Sequence, residues 1–412
     1  MIQPTRFFRP RFFLALLGIA ALTPSALGQG PVNVVASDPQ VRQVVATDTA
    51  FGFRMLGQLS RNAPDKNVFF SPFGISNSLT VVLNGIGGDA RRDVAAALGV
   101  GAMTPEQINR ANGLLLPALA KADPKVQVFV ANALWAGKDT AFTSSFEDLS
   151  LRFYGARIET LDFDSPDAAD TINAWVKDST RGKIDHVVST ADLSGMTAVL
   201  TNAVYFQGTW QHKFTKAATQ PGPFTLETGG MKTLPLMAQA ETFLYLDAPE
   251  FQAASLPYGG GRWSFYVVLP KAGHDLNEFV GGLNADAWEG WTRKMKPTLL
   301  KLTLPRFKVD YQATLNPALT ASGMASVFRP GADFTPMGLQ GSFLSAVVHK
   351  AVLGVDEDGT VAAAATAVFG FAGGGGPSPV MTVMRVDHPF FCAIRDNVTG
   401  AVLFAGVIRD PS

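Results

Sequence analysis

The chain has 412 residues, and its 34 Lys and Arg residues equal its 34 Asp and Glu residues, so the formal net charge is zero. Charged residues make up 17% of the chain, below the usual quarter, which excludes long disordered tails and a strongly basic nucleic-acid-binding protein. A single Cys excludes an internal disulfide and leaves a cysteine-based zinc site without partners. Length alone favours two or three domains of about 150 residues each.

The first 28 residues have the three regions of a secretory signal peptide. Three Arg residues precede the apolar run 12–22, and small residues follow it. Eleven apolar residues are too few for a membrane span, which needs about 20. We therefore expect residues 1–28 to be removed and the mature protein to be secreted or periplasmic, without a membrane anchor. Loss of three Arg leaves 31 basic against 34 acidic residues, a net charge of −3.

The remaining chain shows helical patterns first and strand patterns later. Residues 29–45 are predicted to be a disordered leader. Apolar residues then recur at helical spacing from Phe51 to Leu59 and from Ile75 to Ile86. Alternating or continuous apolar runs predict strands at 126–135, 199–206, 264–269, 299–304, 344–355 and 400–408. Helices followed by strands, without a repeating βαβ unit, predict an α+β fold.

A long, poorly patterned segment at 359–389 interrupts the strands near the C-terminus. Four consecutive Gly at 373–376, followed by Pro377 and Pro379, are typical of a flexible linker. Only 33 residues follow Pro379, too few for an independent core, so they must complete a sheet formed by earlier chain. We therefore predict one domain, residues 46–412, with a tethered loop that a protease would cut first.

Six segments, in this order along the chain, resemble the serpin family. They are NVFFSPFGIS (67–76), VLTNAVYFQGTW (199–210), LKLTLPRF (300–307), HKAVLGVDEDGT (349–360), AAAAT (362–366) and DHPFFCAIRDNVTGAVLFAGVI (387–408). The resemblance covers essentially the whole mature chain. It implies an α+β serpin fold with three β-sheets, eight to nine helices and an exposed reactive-centre loop at about 357–386. The short loops and the absence of disulfides favour a bacterial member.

The resemblance also implies a mechanism, in which the loop is bait for a serine or cysteine protease. The acyl-enzyme forms a covalent complex, and the N-terminal half of the loop then inserts as a strand into the main sheet. The expected protein is monomeric, not an enzyme, and needs no cofactor, metal or nucleic acid. Insertion requires small, uncharged residues, and no charge or Pro occurs between Gly359 and Gly376. The implied hinge residues are Glu357, Gly359, Thr360, Ala362, Ala363, Ala364, Ala365 and Thr366.

Other positions match family residues at places where the main sheet opens. His349 and Asn202 match a polar pair beneath the sheet, and Ser71 matches their hydroxyl partner. Gly74 stands where a second Ser is common, so we expect a thinner network. Two further matches lie where the loop first enters the sheet: Trp210, and Arg306 as the ion-pair partner of Glu357.

Three cleavage positions remain open. Counting from Glu357 gives Gly373–Gly374, counting back from Pro389 points to Ser378, and Phe371–Ala372 would suit a protease that prefers aromatic residues. No Lys or Arg lies between Gly359 and Met384, so trypsin-like targets are not expected. Small or apolar bait residues favour elastase-, subtilisin- or chymotrypsin-like enzymes.

The sequence bears on two alternatives to protease inhibition, an enzyme and a non-inhibitory serpin. An enzyme is disfavoured, because the five His lie in no HExxH frame and no G-x-S-x-G elbow occurs. A non-inhibitory serpin, acting as a binding, carrier or chaperone-like protein, stays open. Bulky or charged hinge residues would favour that alternative, whereas this chain has Thr360 and a run of Ala.

Overall fold

The computed structural model describes residues 31–360 and 381–412, and it confirms the predicted α+β fold. The proposed signal peptide, residues 1–28, lies outside the described residues. So do part of the hinge and every candidate cleavage position, namely Ala362, Ala363, Ala364, Ala365, Thr366, Phe371, Ala372, Gly373, Gly374 and Ser378.

Eleven α-helices occur within the described ranges, and nine of them have at least seven residues, close to the eight or nine expected. Several begin with Pro after a polar cap, because Pro lacks the N–H that a first helical turn leaves unpaired. The helices are α1 (Pro31–Ser37), α2 (Pro39–Asn62), α3 (Pro72–Asn84), α4 (Gly88–Leu98), α5 (Pro105–Ala120), α6 (Ser144–Tyr154), α7 (Pro166–Ser179), α8 (Thr190–Leu193), α9 (Leu276–Gly282), α10 (Ala285–Lys294) and α11 (Asn316–Leu319).

The prediction of a disordered leader at 29–45 is wrong for residues 31–45, the part of that segment that the structure describes. Helix α1 covers 31–37, and α2 begins at Pro39, where the Asp38 carboxylate accepts hydrogen bonds from the backbone N–H groups of Gln40 (2.9 Å) and Val41 (3.2 Å). Val41, Val44 and Val45 of α2 are buried in the main core. Their i, i+3, i+4 spacing forms one apolar stripe, so burial stabilises the turns that propensity alone leaves weak.

The strands form two hydrogen-bonded sheets in the described part of the chain. The nine-stranded sheet has the order β1-β15-β14-β8-β7-β6-β9-β13, with β5 paired to β6, and the six-stranded sheet has the order β10-β11-β4-β2-β3, with β12 paired to β4. The strands are β1 (Val68–Phe70), β2 (Val126–Gly137), β3 (Arg157–Leu161), β4 (Ala198–Thr209), β5 (Gln220–Thr225), β6 (Met231–Asp247), β7 (Phe251–Pro257), β8 (Trp263–Pro270), β9 (Lys296–Pro305), β10 (Phe307–Thr314), β11 (Leu344–Val355), β12 (Gly359–Thr360), β13 (Thr382–Arg385), β14 (Phe390–Asp396) and β15 (Val402–Ile408).

The resemblance implies three sheets, whereas the described residues form two hydrogen-bonded sheets, and strand β6 accounts for the difference. Its 17 residues pair with β5 over 231–236, with β9 over 236–245 and with β7 over 244–247. One continuous strand therefore joins two groups of strands into a single hydrogen-bonded network.

The six-stranded sheet lies between two apolar layers. On β4, the even-numbered side chains such as Leu200 and Val204 join the main core, while the odd-numbered Val199, Ala203 and Tyr205 join a second cluster that includes α7 residues. This alternation follows the two-residue period of a strand. Among the described helices, none is both long and apolar enough to cross a bilayer.

The buried stripe at the start of α2 predicts that Val41 and Val44 contribute to the stability of the fold. Val41→Ala combined with Val44→Ala removes four methyl groups, which at about 0.8 kcal/mol each lowers the free energy of unfolding by roughly 3 kcal/mol or more. Urea denaturation followed by circular dichroism measures the loss. Arg42→Ala, an exposed position on the same helix, is the control, and an equal small effect of both variants would contradict the packing.

Candidate functional site: the hinge and the opening in the six-stranded sheet

Strands β4 and β11 lie side by side and parallel at the centre of the six-stranded sheet. Their pairing extends from Leu344 opposite Ala198 to Val352 opposite Tyr205. Beyond Val355 the chain turns, and Gly359 and Thr360 pair antiparallel with Thr209 and Gly208 at the end of β4. Gly359 and Thr360 of the loop thus pair with β4 along the same edge as β11, beyond the point where the pairing with β11 ends.

The turn before β12 requires glycine. Gly359 has a φ of 150°, and a Cβ there would lie 2.1 Å from the backbone oxygen of Gly208. The Asp356 carboxylate holds the turn, because its Oδ1 accepts hydrogen bonds from the backbone N–H groups of Asp358 (2.9 Å) and Gly359 (3.1 Å). Only glycine brings the backbone of β12 this close to β4.

Thr360 is fully buried, and its hydroxyl is 2.6 Å from the hydroxyl of Tyr258. Tyr258 stacks on Trp210 with ring centroids 4.3 Å apart. The Trp210 indole N–H donates to the backbone oxygen of Asp356 at 2.8 Å. The structure therefore places Trp210 directly against residues 356–360.

Opposite charges fix the acidic turn 356–358. Burial alone would raise the pKa of Asp358, but hydrogen bonds from Lys213 (2.9 Å) and Lys216 (3.2 Å) lower it overall. Glu357 accepts a hydrogen bond from the Thr219 hydroxyl at 2.7 Å and lies 3.7 Å from Arg306. Arg306 is half exposed, so this second ion pair stabilises the fold by only about 0–1 kcal/mol.

His349 lies in register with Asn202 across β11 and β4, and it is fully buried. Its Nε2 accepts a hydrogen bond from the backbone N–H of Ser71 at 3.2 Å, which assigns the proton to Nδ1, and Nδ1 donates to Asn202 Oδ1 at 2.7 Å. Burial lowers the pKa of His349 to about 3, so the ring is neutral at physiological pH.

A chain of asparagines continues from this pair into the helices. Asn202 donates to Asn132 (2.6 Å), Asn132 to Asn77 (2.7 Å), Asn77 to Asn112 (2.9 Å), and Asn112 to the backbone oxygen of Ile108 (3.0 Å). We call these four residues the asparagine chain. Each side-chain amide uses its oxygen as acceptor and its NH₂ as donor, so the centre of the sheet is connected through α3 to α5.

The expected roles of Ser71 and Gly74 need correction. The Ser71 hydroxyl caps α3 by accepting from the Gly74 N–H at 2.9 Å, and it is the Ser71 backbone that contacts His349. A Cβ at Gly74 would lie 2.6 Å from Val204 and 2.9 Å from Asn202 Oδ1, so the site has no room for a serine. We expected a thinner network at Gly74, but the hydrogen bonds that a second hydroxyl would make are replaced by those of buried asparagine amides.

Sequence reasoning missed Asn77, Asn112 and Asn132. The available signal was a polar residue inside an apolar run, as Asn132 is within β2. A buried amide needs partners, but only the tertiary structure shows which. Cys392 is also buried, which raises the pKa of its thiol and makes it unreactive. In the described ranges, no three His, Cys, Asp or Glu side chains are grouped so that they could hold a metal ion.

Replacing Asn132 tests whether the asparagine chain supports the sheet. Asn132→Ala leaves the amide of Asn202 and the oxygen of Asn77 without partners, and each orphaned buried group costs about 1–3 kcal/mol. We expect the free energy of unfolding to fall by the sum of both, measured by urea denaturation. Asn62→Ala, at the exposed end of α2, is the matched control. Equal stability of the two variants would show that the chain has no supporting role.

Comparisons with known proteins agree with this arrangement. The family model "Serpin (serine protease inhibitor)" matches residues 46–411. The human leukocyte elastase inhibitor is 33% identical over 384 residues, which cover 90% of this chain and 100% of that protein. Human Serpin B3 is 32% identical over 386 residues, covering 88% and 98%.

The same likeness extends to solved structures. The native structure of tengpin, a thermophilic serpin, matches with a TM-score of 0.83 at 27% identity and covers 89% of this chain and 94% of its own. The structure of human thyroxine-binding globulin matches with a TM-score of 0.84 at 24% identity, which at that identity shows the fold alone. A family model matched over most of the chain and relatives above 30% identity lead to one conclusion: the chain belongs to the serpin family.

Proposed function

We propose that this protein is a suicide-substrate inhibitor of serine proteases. The nucleophilic hydroxyl of the protease attacks the carbonyl of the scissile bond, and the peptide nitrogen takes up a proton and leaves as a new amino terminus. The N-terminal half of the loop stays attached to the enzyme as an ester and inserts between β4 and β11. The observation that carries the proposal is β12, because Gly359 and Thr360 already pair with β4.

Extending the β12 register gives the pairing of the inserted strand. The two residue numbers of each observed pair add up to 568, since residue 359 pairs with residue 209 and residue 360 with residue 208. An antiparallel strand keeps this sum, so Thr366 would come opposite Asn202 and Gly370 opposite Ala198, the first residue of β4. Thr366 would thus meet the amide that His349 contacts in the present structure.

The faces of such a strand fit the sheet. Residues directly opposite one another in an antiparallel pair point to the same face, and alternate residues share a face. Even-numbered loop residues would therefore follow Thr360 toward the main core. They are Ala362, Ala364, Thr366 and Val368, and they would oppose Phe206, Val204, Asn202 and Leu200 in that order. Apolar residues meet apolar residues, and the one Thr meets the one Asn.

The register also separates the cleavage candidates. Insertion to the beginning of β4 uses the loop as far as Gly370. Cleavage at Phe371–Ala372 or Gly373–Gly374 would leave the protease close to the end of the inserted strand. Cleavage at Ser378 would leave eight spare residues, up to about 28 Å of extended chain, and a loosely held enzyme. We favour the first two positions.

The uncharged bait favours an elastase-, subtilisin- or chymotrypsin-like target, and the similarity to a leukocyte elastase inhibitor supports that class. The alternative is a non-inhibitory serpin that binds, carries or chaperones another molecule. Thr360 and the small residues after it disfavour the alternative, because a strand that enters a sheet interior needs such residues.

The site of action is proposed from the sequence alone. A signal peptide at residues 1–28 would direct export and then be removed, so we propose that the protein acts as a monomer in the periplasm or outside the cell, without a cofactor. There it would meet proteases released into the same compartment.

Incubation with a panel of elastase-, subtilisin- and chymotrypsin-like proteases tests the function. We expect a complex that survives boiling in detergent, and mass spectrometry of the released C-terminal peptide identifies the cleaved bond. Cleaved protein is expected to melt at a higher temperature than intact protein, because the inserted strand adds hydrogen bonds and buried surface. Cleavage without a stable complex and without a rise in melting temperature would contradict inhibition and favour the binding-protein alternative.

A charge at position 360 should convert the inhibitor into a substrate. Thr360 is already buried in β12, so an Arg there detaches β12 from β4 and keeps its charge in solvent, and insertion must then bury that charge. A rise of only about 1.4 kcal/mol in the insertion barrier slows insertion about tenfold relative to hydrolysis of the ester. Ala362→Arg tests the same step at a second core-facing position.

The matched control is Val361→Arg. Its side chain would point to the face of partly exposed Gln207, so the variant should remain an inhibitor. Moles of inhibitor consumed per mole of protease trapped are measured for all three variants. Equal values for Thr360→Arg, Ala362→Arg and Val361→Arg would contradict the predicted register.

A further inference from the structure

A cleft of about 750 Å³ opens where the reactive-centre loop rejoins the nine-stranded sheet. It lies between the end of β6, the last turn of α10, the start of β9 and Thr382, the first residue of β13. No step of the proposed mechanism uses this cleft.

The cleft is cationic. Arg293, Lys294 and Lys296 line it, and Lys294 and Lys296 are exposed. The acidic group in its lining is Asp247, whose carboxylate is 2.6 Å from the ammonium of Lys271. The dipole of α10 favours cations in its last turn, but it does not account for Lys296, which lies beyond the helix.

The undescribed parts of the chain offer no counter-charge. Residues 1–30 and 361–380 contain no Asp or Glu, so neither segment could neutralise this cleft. Charge complementarity therefore indicates an acidic group from another molecule.

The position of the cleft indicates which molecule. Thr382 is eight residues beyond Gly374, so the cleft is at most about 28 Å of extended chain from the bond that a protease would grip. A protease domain of about 250 residues has a radius of gyration near 18 Å, so the surface of a bound protease can reach this region. Met381 and Val383, which flank Thr382 in the chain, are 41% and 57% exposed and offer apolar surface near the cleft.

We propose, on the basis of the proposed inhibitory function, that this cleft binds an acidic surface segment of the target protease in the encounter complex. The loop between 361 and 384 carries no charge, so it discriminates between proteases only by size and hydrophobicity. Selection by charge must therefore come from the body beside it, and this cleft supplies it.

The cleft and the ester act at two different steps. After cleavage, the ester holds the protease on the N-terminal part of the loop, whereas β13 remains paired with β9 beside the cleft. The cleft thus acts before cleavage and has no contact with the trapped enzyme. Changing its charge alters the rate of association and leaves the stoichiometry of inhibition unchanged.

The test uses two proteases that cleave after the same small or apolar residues, one with a low and one with a high isoelectric point. Lys294→Glu combined with Lys296→Glu should slow association with the acidic protease about tenfold, within the range of electrostatic steering. Association with the basic protease should not slow. Wild-type association with the acidic protease should weaken as salt rises. The control, Arg152→Glu with Arg329→Glu, reverses two exposed charges outside the cleft.

Two failures can be told apart. If wild type forms no stable complex with either protease, the inhibitory function itself is contradicted. If complexes form at unchanged stoichiometry but the cleft variant and the control associate equally fast with the acidic protease, the cleft has no role in recognition. A salt-independent wild-type rate would contradict the inference in the same way.

Discussion

The structure depends on competition for one edge of β4. A strand edge offers a single row of N–H and C=O groups, so only one neighbour can pair with it at each position. Strand β11 occupies this edge as far as Tyr205, and β12 occupies it from Gly208. In the present fold, β11 therefore pairs with most of this edge of β4, and the loop pairs only with Gly208 and Thr209. Longer pairing by the loop requires that β11 move away.

Separation of β4 and β11 would break the contact between His349 and Asn202. The depressed pKa of His349 keeps the ring neutral, so separation need not expose or create a buried charge. The amide of Asn202 remains bonded to Asn132, so the asparagine chain can support β4 while its other neighbour changes. A network of neutral amides would suit a sheet that opens as proposed, because each lost hydrogen bond costs little if a hydroxyl replaces it.

The two ends of the loop differ in charge. At the N-terminal end, Lys213 and Lys216 pair with Asp358, and Arg306 pairs with Glu357. At the C-terminal end, the cleft beside Thr382 has an excess of positive charge. The bait between them is uncharged. The proposed insertion would require that lack of charge, and any recognition of the protease by charge would then fall to the body of the protein.

Local sequence patterns predicted strands where the burial of side chains follows a simple period along the chain. Strand β11 was predicted with its observed bounds, and the run at 199–206 lies inside β4, because largely apolar runs indicate strands buried on both faces. The run at 299–304 lies inside β9, where Leu300, Leu302 and Leu304 alternate with polar residues and form one buried face. The start of α2 was missed, since its propensity is weak and its stability comes from packing of Val41 and Val44. The region of β5 to β7 was also missed, because its polar and apolar residues do not alternate clearly.

The sequence by itself determined the α+β class, the family resemblance and the chemistry of the hinge, because these depend on residue types in a fixed order. It also predicted His349, Asn202, Trp210 and Arg306 as site residues, and the structure places the first two side by side on β11 and β4 and the other two against residues 356–358. Only the tertiary structure decided that β12 already pairs with β4, that amides replace hydroxyls around Gly74, and that a cationic cleft lies beside Thr382. Those features join residues far apart in the chain, and their contacts depend on sheet register and close packing, which local patterns do not specify.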